Sequence, residues 1–311
     1  MLSIYIVRSI LYVKMDTKDE IILAELVQDA RCSARKIAQK AGKHHNTVSK
    51  RIQELQDMKV ILNTYPRIVS ENLGYMFTTV YCSVQDQTIQ QRIIDRLVKH
   101  PAVTLYEEYL GSTSLSFNVE TLNLESFQEV LHLVFTGYLE SVSDLRIVPR
   151  RDNVQQKELS TFQMDLLQYI CKHPKASYSQ IALHLKSTAP TVLRNFRLLS
   201  EKDIFRGFSS FIDLRPLGLR RYRVLVQTTA SIQKIQHFLD SIQHGFVQHA
   251  KLGGNIYQVM LTINLEPIYE VEEFEKYVYM YFSKEIQQVH LLTSKNVCFL
   301  RSIHKEFLEG V

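Results

Sequence analysis

The chain is written twice. Displaced by 181 − 37 = 144 residues, it falls into register on itself without a gap over roughly residues 16–84, so that IAQKAGKHHNTVSKRIQEL (37–55) lies on IALHLKSTAPTVLRNFRLL (181–199). Thr47 meets Thr191, Val48 meets Val192, Leu55 meets Leu199, and the pair Leu73–Gly74 meets Leu217–Gly218. After a two-residue slip, YLGS (109–112) meets KLGG (251–254). Agreement of apolar positions over such a length means that any fold proposed for one half must serve the other. The two copies are joined by the polar stretch PRRDNVQQKELS at 149–160.

The first part of each copy carries helical periodicity. Ile21, Ile22 and Leu26, then Ile37, Ala38 and Ala41, then Val48, Ile52 and Leu55 recur at three- and four-residue spacing, with breaks at DARCS and GKH. The second copy repeats this with Leu166, Leu167 and Ile170, then Ile181, Ala182 and Leu185, then Val192, Phe196 and Leu199. Ser177 and Thr188 stand where the N-caps of its second and third helices belong. After the third helix both copies turn to β-type sequence, VILNTYPRIV and IFRGFSSFID, which predicts a two-stranded wing in each. Three helices with a tight turn before the third, followed by a hairpin, are a winged helix-turn-helix.

The second part of each copy reads strand, helix, strand, strand, helix, strand. MFTTVYCSV, TIQQRIIDRLVKH, VTLYEEYL, SLSFNVETL, LESFQEVLHLVFTGYL and VSDLRIVP supply that order in the first copy, and a matching series runs from RVLVQTT to IQQVHLLTS in the second. The order βαββαβ predicts a ferredoxin-like sheet with two helices on one face. The expected fold class is therefore α+β, two winged helix-turn-helix domains alternating with two ferredoxin-like domains. The boundaries drawn are 1–14 for an N-terminal extension, 15–74 and 160–218 for the helix-turn-helix domains, 75–150 and 219–311 for the ferredoxin-like ones, and 151–159 for a linker.

Charge is segregated along this plan. The net charge is only +5, but residues 31–67 hold nine Lys/Arg against two acids and residues 175–223 hold ten against three. Two basic islands of about +7 each therefore ride on a remainder of about 5 − 14 = −9, the footprint expected where a phosphate backbone is met locally. The four cysteines form no C-x-x-C pair, which fits a reduced, cytoplasmic setting. The opening MLSIYIVRSILYVK is too short to span a bilayer and is interrupted by Arg8, so no membrane anchor is expected.

A winged helix-turn-helix, a short wing ending in LG and then a βαββαβ domain resemble the Lrp/AsnC (feast/famine) family of prokaryotic regulators. DEIILAELVQDARCSARKIAQKAGKHHNTVSKRIQELQDMKVI carries that resemblance almost element by element, and it covers nearly the whole chain after residue 15 as a tandem. The second copy departs from it, with Lys186 where the turn glycine stands at Gly42, and with Pro190 and Leu193 at positions that a base reader makes polar.

The function implied is sequence-specific binding of double-stranded DNA by a transcriptional regulator, not by an enzyme. A recognition helix presents its N-terminal turn to base edges while its inner stripe, here Val48, Ile52 and Leu55, packs on the domain. His45, Asn46, Ser49, Lys50 and Gln53 then face the groove, with Thr47 and Arg51 at the shoulder toward phosphate and His44 at the capping position. Asn46 and Gln53 suit adenine and Lys50 suits guanine. A solvated His44–His45 pair is the alternative; adjacent helical residues point about a hundred degrees apart and chelate a metal poorly. In the second copy Thr191, Arg194, Arg197, Lys202 and Arg206 read as DNA contacts, against a merely solvated face. The run RRYR at 220–223 reads either as wing-adjacent phosphate contacts or as a charged strand edge.

The resemblance also implies pairing through the βαββαβ domains, within one chain as a pseudo-dimer or between chains as a homodimer. It further implies a small-molecule effector near the glycine turn between the middle strands. Gly111, Ser112 and Thr113 in one copy and Gly253, Gly254 and Asn255 in the other are the candidate residues, a plain hairpin turn being the alternative. No cofactor and no metal are called for. A reading of a different class is an enzyme of the siroheme decarboxylase type, which resembles this family and uses the same architecture; His100, His132, His244 and His249 would be its candidate groups.

Overall fold

The computed structural model describes residues 17–149, 156–242, 249–252, 259–265 and 269–303. The N-terminal extension and most of the polar linker lie outside the described residues.

The first copy opens with α1 (Thr17–Gln28), α2 (Ala34–Ala41) and α3 (His45–Asp57), then β1 (Ile61–Ile68), β2 (Met76–Val84), α4 (Gln87–Lys99), β3 (Val103–Leu110), β4 (Leu115–Thr121), α5 (Leu124–Phe135) and β5 (Val142–Pro149). The second runs α6 (Thr161–Lys172), α7 (Tyr178–His184), α8 (Ala189–Glu201), β6 (Phe205–Ile212), β7 (Arg220–Thr228), α9 (Ile232–Ile242), β8 (His249–Leu252), β9 (Val259–Leu265), α10 (Tyr269–Phe282) and β10 (Ile286–Phe299). The second and third helices of each copy start where the sequence provides a cap: Ser33, His44, Ser177 and Thr188 each accept a backbone N–H of the turn they begin. The apolar stripes close on themselves, with Ile22, Ile37, Val48 and Leu55 buried in the first helix-turn-helix domain and Leu167, Ile181, Val192 and Leu199 in the second.

The α2–α3 turn needs a left-handed residue. Gly42 fills it at φ 61°, and its counterpart Lys186 is held at φ 48° with the same closing bond, Ser187 N–H to the Ala182 carbonyl at 2.8 Å. A side chain is thus carried where glycine is the unstrained choice.

The wings differ from expectation. Neither copy forms a hairpin of its own; β1 and β6 pair antiparallel with each other as a two-stranded sheet. One strand per copy leaves a full row of backbone donors and acceptors, which the other copy's strand satisfies. The register obeys the repeat: Ile61 faces Ile212, and adding 144 to the first while subtracting it from the second returns the pair Phe205–Ile68. The flanking bonds match as well, Val69 N–H to the Ile204 carbonyl at 2.9 Å and Asp213 N–H to the Val60 carbonyl at 2.8 Å.

The exchange extends to the cores. Ile212, Leu214 and Leu219 of the second copy are buried against Leu55 and Val60 of the first, and Leu73 and Tyr75 of the first are buried against Leu199 and Phe205 of the second. Each helix-turn-helix domain is completed by the other copy.

The remaining strands form one eight-stranded sheet in the order β5-β2-β4-β3-β10-β7-β9-β8. Each half has its fourth strand beside its first and its third between first and second, the ferredoxin-like arrangement. The halves join through the 14-residue β10, whose first part pairs with β7 and whose last part pairs with β3. Helices α4 and α5 cover one face of the first half and α9 and α10 one face of the second. The helix-free faces meet, burying Tyr81, Tyr109 and Val148 against Leu225, Met260 and Leu292. Among the described residues no helix is long and apolar enough to cross a membrane.

Candidate nucleic-acid interface

Burial of Val48 and Leu55 turns the opposite side of α3 to solvent, and there His44, His45, Asn46, Thr47, Ser49, Lys50 and Gln53 are all exposed. The histidines settle into distinct roles. His44 is the N-cap, its Nδ1 accepting the Asn46 N–H at 3.4 Å, while His45 begins the helix with its ring 4.4 Å from that of His44. Among the described residues no group of three or more His, Cys, Asp or Glu is placed to hold a metal. Two acids temper the surface. Gln53 donates to Asp57 at 2.9 Å and Lys50 lies 4.0 Å from Glu54, interactions that exposed side chains exchange readily for base or phosphate.

Arg51 does not stand free toward phosphate. Its Nε and Nη2 hold both oxygens of the buried Asp19 at 2.8 and 2.7 Å, and Nη1 holds Glu54 at 2.9 Å. Hydrogen bonds to Asp19 and then to Glu54 push its pKa further up. With all three of its nitrogens engaged, this guanidinium ties α3 to α1.

On α8 the same face carries different chemistry. Thr191 is exposed, but its hydroxyl lies 2.9 Å from that of the cap Thr188. Arg194 and Arg197 are exposed, and Leu193, in place of Ser49, is 38% exposed. Arg206 is exposed and bonded by two nitrogens to Asp203, at 2.7 and 2.8 Å. Lys202 departs from expectation. Its Nζ donates to the Glu158 carbonyl at 2.7 Å while Lys157 reaches the Lys202 carbonyl at 2.6 Å, so it clasps the chain entering the second copy.

The RRYR run is neither a phosphate stripe nor an edge, because β7 lies between β10 and β9. Alternation along the strand turns Arg221 and Arg223 inward, where they grip the fully buried Glu107 of β3: Arg221 Nε to Oε1 at 3.1 Å and Arg223 Nη2 to Oε2 at 2.8 Å. Tyr109 donates to the same carboxylate at 3.0 Å and touches Ser116 at 2.8 Å. Burial alone would raise the Glu107 pKa, but Arg223 and Arg221 outweigh it and hold the carboxyl at about 2. Sequence reasoning missed this cluster. The readable signal was adjacent acids in VTLYEEYL, one of which must point inward, and arginines two apart on one strand face.

Of the effector candidates, Gly111 turns at φ 109° and lines, with Ser112, a cavity of about 580 Å³ that also takes in Tyr109, Asp144 and Lys295. Thr113 is buried and accepts from Arg146. Gly253, Gly254 and Asn255 lie outside the described residues. Of the histidines considered for catalysis, His100 accepts the Ala102 N–H at 3.2 Å beyond α4 and His132 sits in the last turn of α5; His244 and the side chain of His249 lie outside the described residues.

Residues 15–56 match the AsnC-type helix-turn-helix domain. An uncharacterized HTH-type transcriptional regulator of Pyrococcus furiosus is 34% identical over 85 residues, 27% of this chain; the chain spans 57% of the length of that curated relative. Among solved structures, the siroheme decarboxylase NirDL covers 94% of this chain and 96% of its own at 15% identity with a TM-score of 0.59. Its complex with an iron-uroporphyrin III analogue gives 0.57 at the same identity and coverage. Those two likenesses are of fold alone, yet they overturn one expectation. An enzyme is built on this architecture from end to end, so the helix-turn-helix plan gives no ground for excluding catalysis.

Proposed function

We propose that the chain is a tandem of the two-part unit of the Lrp/AsnC family, and that it binds double-stranded DNA sequence-specifically and regulates transcription. The observation that carries the reading is the polar face of α3, seven exposed side chains able to meet bases or phosphates, set over a buried apolar stripe. Asn46, Lys50 and Gln53 read bases, and His45, Thr47 and Ser49 support them. On α8, Arg194 and Arg197 grip phosphate, while Leu193 offers an apolar surface of the kind that suits a thymine methyl.

The β1–β6 ribbon supports a single chain acting as the pseudo-dimer, presenting two unequal readers to an imperfect palindrome. Titrating the DNA upstream of the gene and a scrambled duplex against the protein at several salt concentrations tests the reading. The upstream DNA should bind more tightly, with affinity falling linearly in log salt at a slope of about −0.9 per phosphate neutralised. Equal, weak binding to both duplexes would count against it.

The end-to-end likeness to NirDL favours a second reading, a decarboxylase acting on a carboxylated tetrapyrrole. Incubation with siroheme and assay of released carbon dioxide separates the two.

A further inference from the structure

A cavity of about 720 Å³ opens where three parts of the chain converge: β1 at Asn63–Tyr65, the α6–α7 corner, and the segment Phe299–Ser302 that leaves the large sheet. None of the described residues lining it is acidic. Lys172, His173 and Lys175 are exposed at its wall, and neither lysine has a carboxylate within ion-pair distance among the described residues. Its aromatic surfaces are prepared by packing: the Tyr65 and Phe299 rings lie 4.9 Å apart, and Tyr169 is held between His173 at 4.7 Å and His184 at 4.2 Å. Arg301 backs the cavity but is committed to the His100 and Pro101 carbonyls at 3.0 and 2.9 Å. The corner itself is anchored from the other copy, where Arg31 lies over the Phe208 ring at 3.5 Å and donates to the Pro174 carbonyl at 3.0 Å.

The repeat shows that this chemistry is not a by-product of the fold. Subtracting 144 from Tyr169, Lys172, His173 and Lys175 gives Glu25, Gln28, Asp29 and Arg31, and adding it to Tyr65 gives Ser209. The counterpart positions therefore carry two acids, one cation and no aromatic, where this cavity has two lysines, a histidine and two tyrosines.

We propose that this cavity binds a mononucleotide-sized aromatic anion, its phosphate held by Lys172 and Lys175 and its planar ring lying against the Tyr65–Phe299 pair. Lysine ammoniums meet a phosphate as point charges, and a stacked ring adds area without demanding a particular hydrogen-bond pattern. The volume lies in the range of small-molecule sites. Because its walls belong to the second reader, the ribbon and the large sheet, an occupant touches all three at once. The same chemistry has two sources, a free nucleotide or a nucleotide of bound DNA, and the proposal commits to the free one.

The test uses the full chain without DNA, titrated with N-methylanthraniloyl-AMP and competed by AMP, adenosine or inorganic phosphate. AMP should displace the probe at least tenfold better than adenosine or phosphate alone. The double variant Lys172→Glu, Lys175→Glu should weaken probe binding at least tenfold with its melting temperature unchanged, whereas Lys284→Glu, an equal change of charge per residue at a distant exposed site, should not. Absence of displaceable binding overturns the proposal, as does binding indifferent to the lysines. It is equally overturned if the lysine variant alters only the salt slope of duplex binding, which would assign the lysines to DNA.

Discussion

Tyr65 of β1 lies opposite Ser209 of β6, and the two are separated by 209 − 65 = 144 residues, so each faces its own counterpart in the repeat. The pseudo-twofold axis relating the halves of the chain therefore passes through this pair. α3 and α8, which begin at His45 and Ala189 with the same separation, are related by the same axis.

Replacing Asn46 and Lys50 by alanine should remove base discrimination from the first reader. A decrease of about 1–3 kcal/mol in preference for each base pair read is expected, seen as convergence of the affinities for operator and scrambled DNA.

Arg194 and Arg197 should behave differently. Their replacement by alanine should weaken binding to all sequences alike and reduce the salt slope by about one for each phosphate no longer neutralised, leaving the ratio between sequences unchanged.

Arg51→Ala should act on stability rather than on DNA. It strands the carboxylate of Asp19, which is 3% exposed, and about 2–4 kcal/mol of unfolding free energy should go, visible in urea titration. A variant of unchanged stability and lowered DNA affinity would return Arg51 to the interface.

Acid titration should expose the Glu107 cluster. A carboxyl held at about 2 when folded, and in the ordinary carboxylate range when unfolded, stabilises the fold above that ordinary range. The contribution falls away as pH drops toward 2. Glu107→Gln should lower stability at neutral pH by about 3 kcal/mol and flatten its decline between about pH 4.5 and 2, as followed by circular dichroism.

Lys186→Gly should stabilise the second reader by about 1 kcal/mol, because it removes a side chain from a left-handed backbone at φ 48°. Thermal melting measures it, and an unchanged or lowered midpoint would mean that the lysine side chain contributes more than the strain.

Much of this architecture was legible in sequence, and the reason is periodicity. The stripes Val48–Ile52–Leu55 and Val192–Phe196–Leu199 demand helices, and the caps His44 and Thr188 mark their starts. The βαββαβ order follows in the same way from alternation and turn residues. What pattern could not carry was partnership. VILNTYPRIV is a strand whether it pairs with its own neighbour or with residues 144 places away, and period-2 alternation is blind to the choice. The same blindness hid Arg51, whose exposure was inferred from helix phase while its partner Asp19 sits on another helix. Arg221 and Arg223 looked like surface charge because their counter-ion lies in the other copy.

The strand exchange has a consequence for dosage. A regulator assembled from two separate polypeptides must first find its partner, so at concentrations below its dimer dissociation constant the active species grows as the square of copy number. Here the partner strand is tethered, and its effective concentration is set by the linker whatever the abundance of the protein. For the single-chain pseudo-dimer proposed above, occupancy of a target should consequently follow a plain hyperbola from the lowest expression level upward, with no threshold.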